Sequence, residues 1–484
     1  MKPLRLTLAL VVALTTFPAA VAAGPVPQER EARAASPTRQ EGQAITSRPA
    51  IVGTHIGGGA AVLPSLRSET RSTPVDVGTL VEEALANNPG LESIRQRWNA
   101  AQAVPAGVHD LPDPSIRFGV YNMPLDTLNF SRGEFRFQYR QEFPARGTRD
   151  RRSAVAELEA SRQGFGFETT RVELAAAVRR AYYELYFAER ASEIHHQHLA
   201  LVRELSTVAE ELYATGQVPQ ENVLRSLVEL SQLFGQLADV ESRIGIATAS
   251  LNRLLHRPAG ALMGTPQPPR IIRERPGMQS LIEWAVNQHP GVAEATAAVE
   301  RDQAAVELEQ HESKPDFSIT AEWWTGSTPV GRTYRYAFLV TTTLPFVHDT
   351  KYNAAVDRTL ASKRSTEAAR LDVMDRISEG VSSAWIRLQA QARIVELYQT
   401  SVIPQSQQSL EAARSAYRTG STSFVTVVDN ERTLLLNRLA LARAEADYGT
   451  AVADLGAALG VVDPEAALGG SPTASELAPE GASQ

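Results

Sequence analysis

The sequence predicts a mixed fold, mostly α-helical, in which one unit of helix, β-hairpin, long helix and helix occurs twice. Three observations carry this. The stretch LVEEALANNPGL, starting at Leu80, returns as LIEWAVNQHPGV, starting at Leu281, with Leu, Glu, Ala, Pro and Gly in register at an offset of 201. Four segments alternate apolar and polar residues with period two, the mark of strands. Two very long stretches carry helical periodicity, and the first, Thr148 to Tyr213, contains no proline.

Residues 1–23 read as a signal peptide. Lys2 and Arg5 form a positive start, Leu6 to Thr16 an apolar run, and Ala20 to Ala23 the small residues for cleavage near Ala22 or Ala23. The chain of 484 residues has no cysteine, which excludes disulfides, thiolate metal sites and a lipid-modified cysteine anchor. Beyond residue 23 there is no apolar run of about 18 residues, hence no further transmembrane helix. An exported chain of this kind is periplasmic, secreted or a β-type outer-membrane protein. A net charge of −7 argues against a nucleic-acid partner. Residues 24–74 are rich in Pro, Ser, Gly, Arg and Glu without periodicity and read as extended or disordered.

The first repeat covers 75–256. A helix is followed by Pro112-Asp113 and a strand, Ser115–Tyr121, with Ile116, Phe118 and Val120 on one face. After a polar loop, 122–132, the strand in 133–143 puts Phe135, Phe137 and Tyr139 on one face and Arg136, Gln138 and Arg140 on the other. Pro144 ends it. The helix from Thr148 to Tyr213 would span roughly 100 Å at ~1.5 Å per residue. One seam runs from Leu174 and Val178 through Ser192, His195 and Leu199 to Ala209 and Tyr213 in alternating steps of four and three, the spacing of a coiled coil. A second, through Phe187, Ile194, Leu201 and Leu212, gives the helix a second neighbour. A Tyr-x-x-Gly turn, Tyr213 to Gly216, leads to another helix.

A linker, 257–279, carries five prolines. The second repeat, 280–460, repeats the order: Pro315-Asp316, strands Phe317–Trp324 and Thr333–Leu344 around a polar loop 325–332, Pro345, a long helix Lys351–Tyr417 with Pro404 as a kink, and the turn Tyr417 to Gly420. In the last strand Tyr334, Tyr336 and Phe338 share one face and Arg335 lies opposite. Residues 461–484 read as a flexible tail.

Four strands cannot close a barrel, and open edges do not occur in lipid. The strands either form a small soluble sheet or are pooled between chains into a membrane barrel. Their length, about that of a tilted bilayer crossing, the export signal and the ~100 Å helices favour the barrel. The doubled unit, the prolines after the strands and both Tyr-x-x-Gly turns resemble the TolC-like outer-membrane efflux family, over about residues 76–460. That resemblance implies a homotrimer whose chains each give four strands to one twelve-stranded β-barrel in the outer membrane of a Gram-negative bacterium. The barrel would continue as a periplasmic α-helical coiled-coil barrel in which helices 80–110 and 220–256 stack end to end. Phe135, Phe137, Tyr139, Tyr334, Tyr336 and Phe338 would then face lipid, and Arg136, Gln138, Arg140 and Arg335 the water-filled lumen.

The resemblance also implies function: a passive exit duct with no cofactor, fed by a periplasmic adaptor protein and an inner-membrane pump of the resistance-nodulation-division type. Tyr417 and Asp429 match the positions that close the periplasmic tip, and Gly216 and Gly420 are the tip-turn glycines, where the adaptor would touch. Thr426 and Thr422 stand where the family can carry an acidic ring residue and a gate arginine. The stretch NMPLDTLNFSRGEF from Asn122 resembles the heavy-metal efflux branch. Multidrug or type I protein secretion is the alternative cargo class, and a non-conducting periplasmic coiled-coil protein the alternative of another class. No Walker loop, HExxH or GxSxG is present, so the chain does not read as an enzyme. His195, His196 and His198 carry imidazoles that could bind metal, but without a second ligand pair they read as a polar patch.

Overall fold

A computed structural model of the chain describes residues 74–122, 133–272, 275–328 and 331–469. The signal-peptide reading, nearly all of 24–74, the loop 123–132 and the end of the tail lie outside the described residues. In chain order the elements are β1 (Pro74–Val75), α1 (Val77–Asn87), α2 (Pro89–His109), β2 (Ser115–Tyr121), β3 (Glu134–Phe143), α3 (Thr148–Ala214), α4 (Gln220–Leu254) and β4 (Thr265–Pro266). There follow α5 (Met278–Gln288), α6 (Pro290–His311), β5 (Phe317–Thr328), β6 (Gly331–Thr342), α7 (Asp349–Leu397), α8 (Ile403–Arg418), α9 (Phe424–Leu459) and α10 (Pro464–Gly469).

The second half repeats the first. The four long strands make one antiparallel sheet in the order β2-β3-β5-β6, so the two hairpins meet through β3 and β5. β1 and β4 form only a two-residue parallel bridge. β2 begins and ends where the alternation places it. β5 and β6 run further than expected: Thr325 pairs with Tyr334 and Gly326 with Thr333, so most of the stretch read as loop is ladder. Polar, glycine-containing sequence looks like a loop in isolation, but cross-strand hydrogen bonds extend pairing into it. Asp316, from the Pro-Asp signal, ties the sheet to the helices. Its carboxylate accepts from the Ala145 N–H at 2.7 Å, and its own N–H donates to Thr343 Oγ1 at 2.9 Å.

α3 has 67 residues and packs on α2, α4, α6 and α9. Its first seam is buried at Val178, Leu185, Ser192, His195, Leu199, Val202 and Ala209, as a period of 3.5 requires. The second seam is shallower, with Ile194 and Leu205 buried but Arg190 and Gln197 exposed.

The end-to-end stacking has a side-chain joint. Asn88 Oδ1 accepts from the Gly90 and Leu91 N–H groups at 2.9 and 3.2 Å, capping α2, while its Nδ2 donates to the Leu254 carbonyl at the end of α4, at 2.8 Å. In the second repeat a histidine makes the same joint. His289 Nδ1 accepts from Gly291 N–H at 2.9 Å and Nε2–H donates to the Ala457 carbonyl of α9 at 3.1 Å. Accepting at one nitrogen and donating at the other requires the neutral ring, and burial holds its pKa below the usual histidine range.

Pro404 does not break its helix. The five residues Tyr398–Val402 open into a π-helical turn, with Ile403 N–H bonded to the Tyr398 carbonyl, and α8 continues from there. The wider turn makes room for a residue that lacks an N–H and crowds the preceding turn. The tail reading needs correction at its start. Val461, Ala467 and Leu468 are buried with Leu281, Val381 and Leu455, so residues 461–469 belong to the core of the second repeat. The apolar side chains of α10 are too few for sequence periodicity to reveal.

Candidate functional site

At the end of the helices away from the sheet lie the two Tyr-x-x-Gly turns, hydrogen-bonded in the same way. Gly216 N–H donates to the Tyr213 carbonyl and Gln217 N–H to that of Leu212, both at 2.9 Å. Gly420 N–H donates to the Tyr417 carbonyl at 3.0 Å and Ser421 N–H to that of Ala416 at 2.9 Å. Both are Schellman closures with the glycine at φ 74° and 71°. A Cβ at either glycine would meet nothing within 4 Å, so the demand is on backbone conformation and not on space.

The turns differ in their tyrosines. Tyr213 is 45% exposed and Tyr417 only 6%. Tyr417 packs on Phe424, ring centroids 5.8 Å apart, in a cluster with Leu205, Ala209, Leu410 and Val427 that joins α3, α8 and α9. Ser423 caps α9 and so fixes where Phe424 enters this cluster. The Tyr417 hydroxyl faces Asn222 of α4 without a well-formed hydrogen bond, and burial pushes its pKa up. Asp429, one and a half turns further along α9, is exposed, as is Thr426, and Thr422 is half-buried. The structure thus places Tyr417 inside the tip and Asp429 on its surface.

Behind the tip lies a feature the sequence did not disclose. His198 on α3 and Glu431 on α9 are both almost fully buried, and His198 Nδ1 lies 2.9 Å from Glu431 Oε1. His198 Nε2 and Glu431 Oε2 are buried without partners among the described residues. The polar-patch reading is therefore corrected: His195 and His198 point into the packing and only His196 is exposed. The signal available was the place of His195 on the first seam, with His198 one turn on. Nothing local points to Glu431, 233 residues away. His195 borders an open groove of about 780 Å³ between α3, α4 and α9, where Arg432 bonds Glu229 at 2.7 Å; burial lowers the His195 pKa. Among the described residues no group of three or more His, Cys, Asp or Glu side chains converges as a metal would need.

At the other end, register divides the sheet. Phe137 pairs with Phe118 and Trp323, and Trp323 with Tyr336. One face therefore collects Ile116, Phe118, Phe135, Phe137, Tyr139, Trp323, Tyr334, Tyr336 and Phe338. Most of these are well exposed, Tyr336 at 77% and Phe338 at 78%. The opposite face carries Arg117, Arg136, Gln138, Arg140, Glu322 and Arg335. The ten strand residues singled out from sequence divide between these two faces, Phe135, Phe137, Tyr139, Tyr334, Tyr336 and Phe338 on one and Arg136, Gln138, Arg140 and Arg335 on the other. Edges β2 and β6 have no partner strand among the described residues.

Comparison with known proteins agrees with this architecture. Residues 281–461 match the family model described as outer membrane efflux protein. The pyoverdine export outer membrane protein OpmQ of Pseudomonas aeruginosa is 21% identical over 405 residues, covering 77% of this chain and 84% of OpmQ. The open-state MtrE outer membrane channel of Neisseria gonorrhoeae superposes with a TM-score of 0.67 at 17% identity, covering 80% of this chain and 89% of MtrE. The outer membrane protein VceC of Vibrio cholerae superposes with a TM-score of 0.65 at 17% identity, covering 80% and 96%.

Proposed function

We propose that this chain, which matches the outer membrane efflux protein family over residues 281–461 and shares the fold of its channels, works as a passive exit duct across the outer membrane. Three copies pool their four-stranded sheets, the β6 edge of one pairing with the β2 edge of the next. Pairing closes every edge, which a bilayer requires. One observation carries the reading: an aromatic face and an arginine-rich face divided residue by residue across four strands, with the aromatic face uncovered. A soluble sheet would bury that face, whereas a barrel turns it to lipid and turns the arginines to water. The twelve residues of β5 and of β6 extend ~40 Å at ~3.4 Å each, ample for a tilted crossing.

The helices continue the duct into the periplasm, and the tip is its gate. Tyr417 holds α8 and α9 on α3 by apolar packing, and Asp429 presents a carboxylate at the constriction. The adaptor docks at the turns of Gly216 and Gly420, and a resistance-nodulation-division pump in the inner membrane supplies the cargo. Heavy-metal ions are the cargo suggested by the stretch from Asn122. The duct performs no chemistry of its own. The test is to purify the full chain in detergent and reconstitute it in planar bilayers. A heat-sensitive trimer with discrete conductance steps is the expected result. A soluble, elongated monomer without conductance would support the non-conducting coiled-coil alternative instead.

A further inference from the structure

The polar face of the sheet is not uniformly polar. Near the end remote from the helices, one cross-strand row reads Gly119, Arg136, Trp324, Arg335. The Arg136 guanidinium lies 4.7 Å from the centroid of the Tyr121 ring and 5.8 Å from that of Trp324. Gly119 makes this possible: a Cβ there would meet the Tyr121 ring at 2.8 Å, so only glycine lets Tyr121 fold back along its own strand towards Arg136.

Among the described residues the charge in this row has no carboxylate partner. Arg140, four residues along the strand, is paired with Glu142 at 3.0 Å, and no such pair forms at Arg136 or Arg335 among the described residues. The carboxylates nearest in register are Glu134, on the strand of Arg136, and Glu322, on the strand of Trp324. Glu134 leans to Gly326 instead, its Oε1 3.3 Å from where a Cβ of that glycine would sit. Arg136 Nε is buried without a hydrogen bond among the described residues. Held between rings, this side chain is not free to swing to a carboxylate, and guanidinium is weakly enough hydrated to tolerate the position. Arg335, across Trp324, is exposed.

We propose that Arg136 and Arg335, set about Trp324 and Tyr121, form a cationic, aromatic belt near the outer end of the strand pore that recruits organic anions, so that the duct favours anionic, planar cargo and passes metal ions as anionic complexes rather than as bare cations. The proposal rests on the duct reading and on the polar face lining the lumen. Each chain contributes two guanidinium groups at one level, and three chains repeat them around the pore. A confined surface of one charge sign raises the local concentration of counter-ions by roughly tenfold or more. Guanidinium and indole planes also stack on flat anions, which small inorganic ions cannot exploit.

Bilayer recordings on the full-length trimer test this. The readouts are the reversal potential in a KCl gradient and the block by pyrenetetrasulfonate added on the hairpin side. The wild type is expected to show anion preference and block. In Arg136→Gln/Arg335→Gln the permeability ratio should fall several-fold and the blocking concentration rise roughly tenfold. Arg335→Gln alone, at an exposed position that folding does not need, should shift both part of the way. Arg136→Lys should keep the selectivity and weaken the block. Asp429 at the tip is the same in every variant, so the differences report the belt. A conducting wild type whose reversal potential and block are unchanged in the double variant overturns the belt and leaves the duct standing. A wild type that forms no pore overturns the duct reading, and the belt with it.

Discussion

Removing either member of the His198–Glu431 pair should loosen the tip far more than removing both. Glu431→Leu leaves the His198 ring buried with neither nitrogen bonded, because Nε2 already lacks a partner. His198→Leu leaves a carboxyl group buried with both oxygens unpaired, because Oε2 already lacks one. Stranding one partner of a buried polar pair costs about 3–5 kcal/mol. Replacing both by apolar residues of similar volume, His198→Leu/Glu431→Met, should cost less than about 1.5 kcal/mol. The double variant then costs less than the sum of the singles by at least ~4.5 kcal/mol, a negative interaction energy of that size between the two sites. The assay is amide hydrogen exchange on the intact trimer in detergent, read in peptides covering 198–210 and 424–435. Where exchange follows a fast opening equilibrium, 3–5 kcal/mol appears as exchange roughly 150- to 5,000-fold faster. Peptides from the sheet, far from the pair, are the internal control. Single variants whose effects simply add in the double variant would refute the reasoning, since additivity means neither group depends on the other.

At Tyr417 the hydroxyl makes at most a weak contact with Asn222, so Tyr417→Phe should be within about 1 kcal/mol of wild type, whereas Tyr417→Ala should cost about 3–5 kcal/mol. Bilayer conductance distinguishes them: the alanine variant is expected to open more often and the phenylalanine variant to behave as wild type. For the His289 joint the sign follows from the lowered pKa. The unfolded ring takes up its proton near its ordinary value of 6.5 while the folded ring resists, so the joint's contribution is whole above that value and is lost as pH falls towards the folded pKa. The thermal midpoint of the trimer, followed from pH 8 to pH 5, should drop more in wild type than in His289→Asn, which installs the side chain that makes the same joint at Asn88. Gly420→Ala and Gly216→Ala each force a side chain into left-handed backbone, at a cost of about 1–2 kcal/mol. Limited proteolysis should cut first at the altered turn, and equal cutting in wild type would count against the Schellman closure as the tip's anchor.

Much of this architecture was legible because its causes are local. Alternation in 115–121 and 133–143, the 3.5 period from Val178 to Ala209, and the glycines of both Tyr-x-x-Gly turns each depend on residues a few positions apart. The duplication at Leu80 and Leu281 then multiplied every local reading by two. The faces of all four strands followed, because period two leaves only one choice once a single aromatic is placed. What failed did so at the edges of these local rules. The stretch 325–332 has loop composition yet pairs as strand, and 461–469 is too short for a period yet packs into the core.

By itself, the sequence determined the repeat, the strand faces, the length of the helices and the two glycine closures, all set by backbone preference and the spacing of apolar residues. The tertiary structure alone decided which distant polar groups meet. Glu431 lies 233 residues from His198, and nothing near either predicts the other. Asn88 and His289 each cap the helix that follows them, a local property, but their hold on Leu254 and Ala457 exists only once the helices are stacked. Arg136 gains one ring from Tyr121 across its own hairpin. It gains the other from Trp324 only because β3 pairs with β5, a strand that arrives with the second repeat. Polar contacts of this kind depend on register and helix rotation between elements far apart in the chain, and no short-range period encodes them.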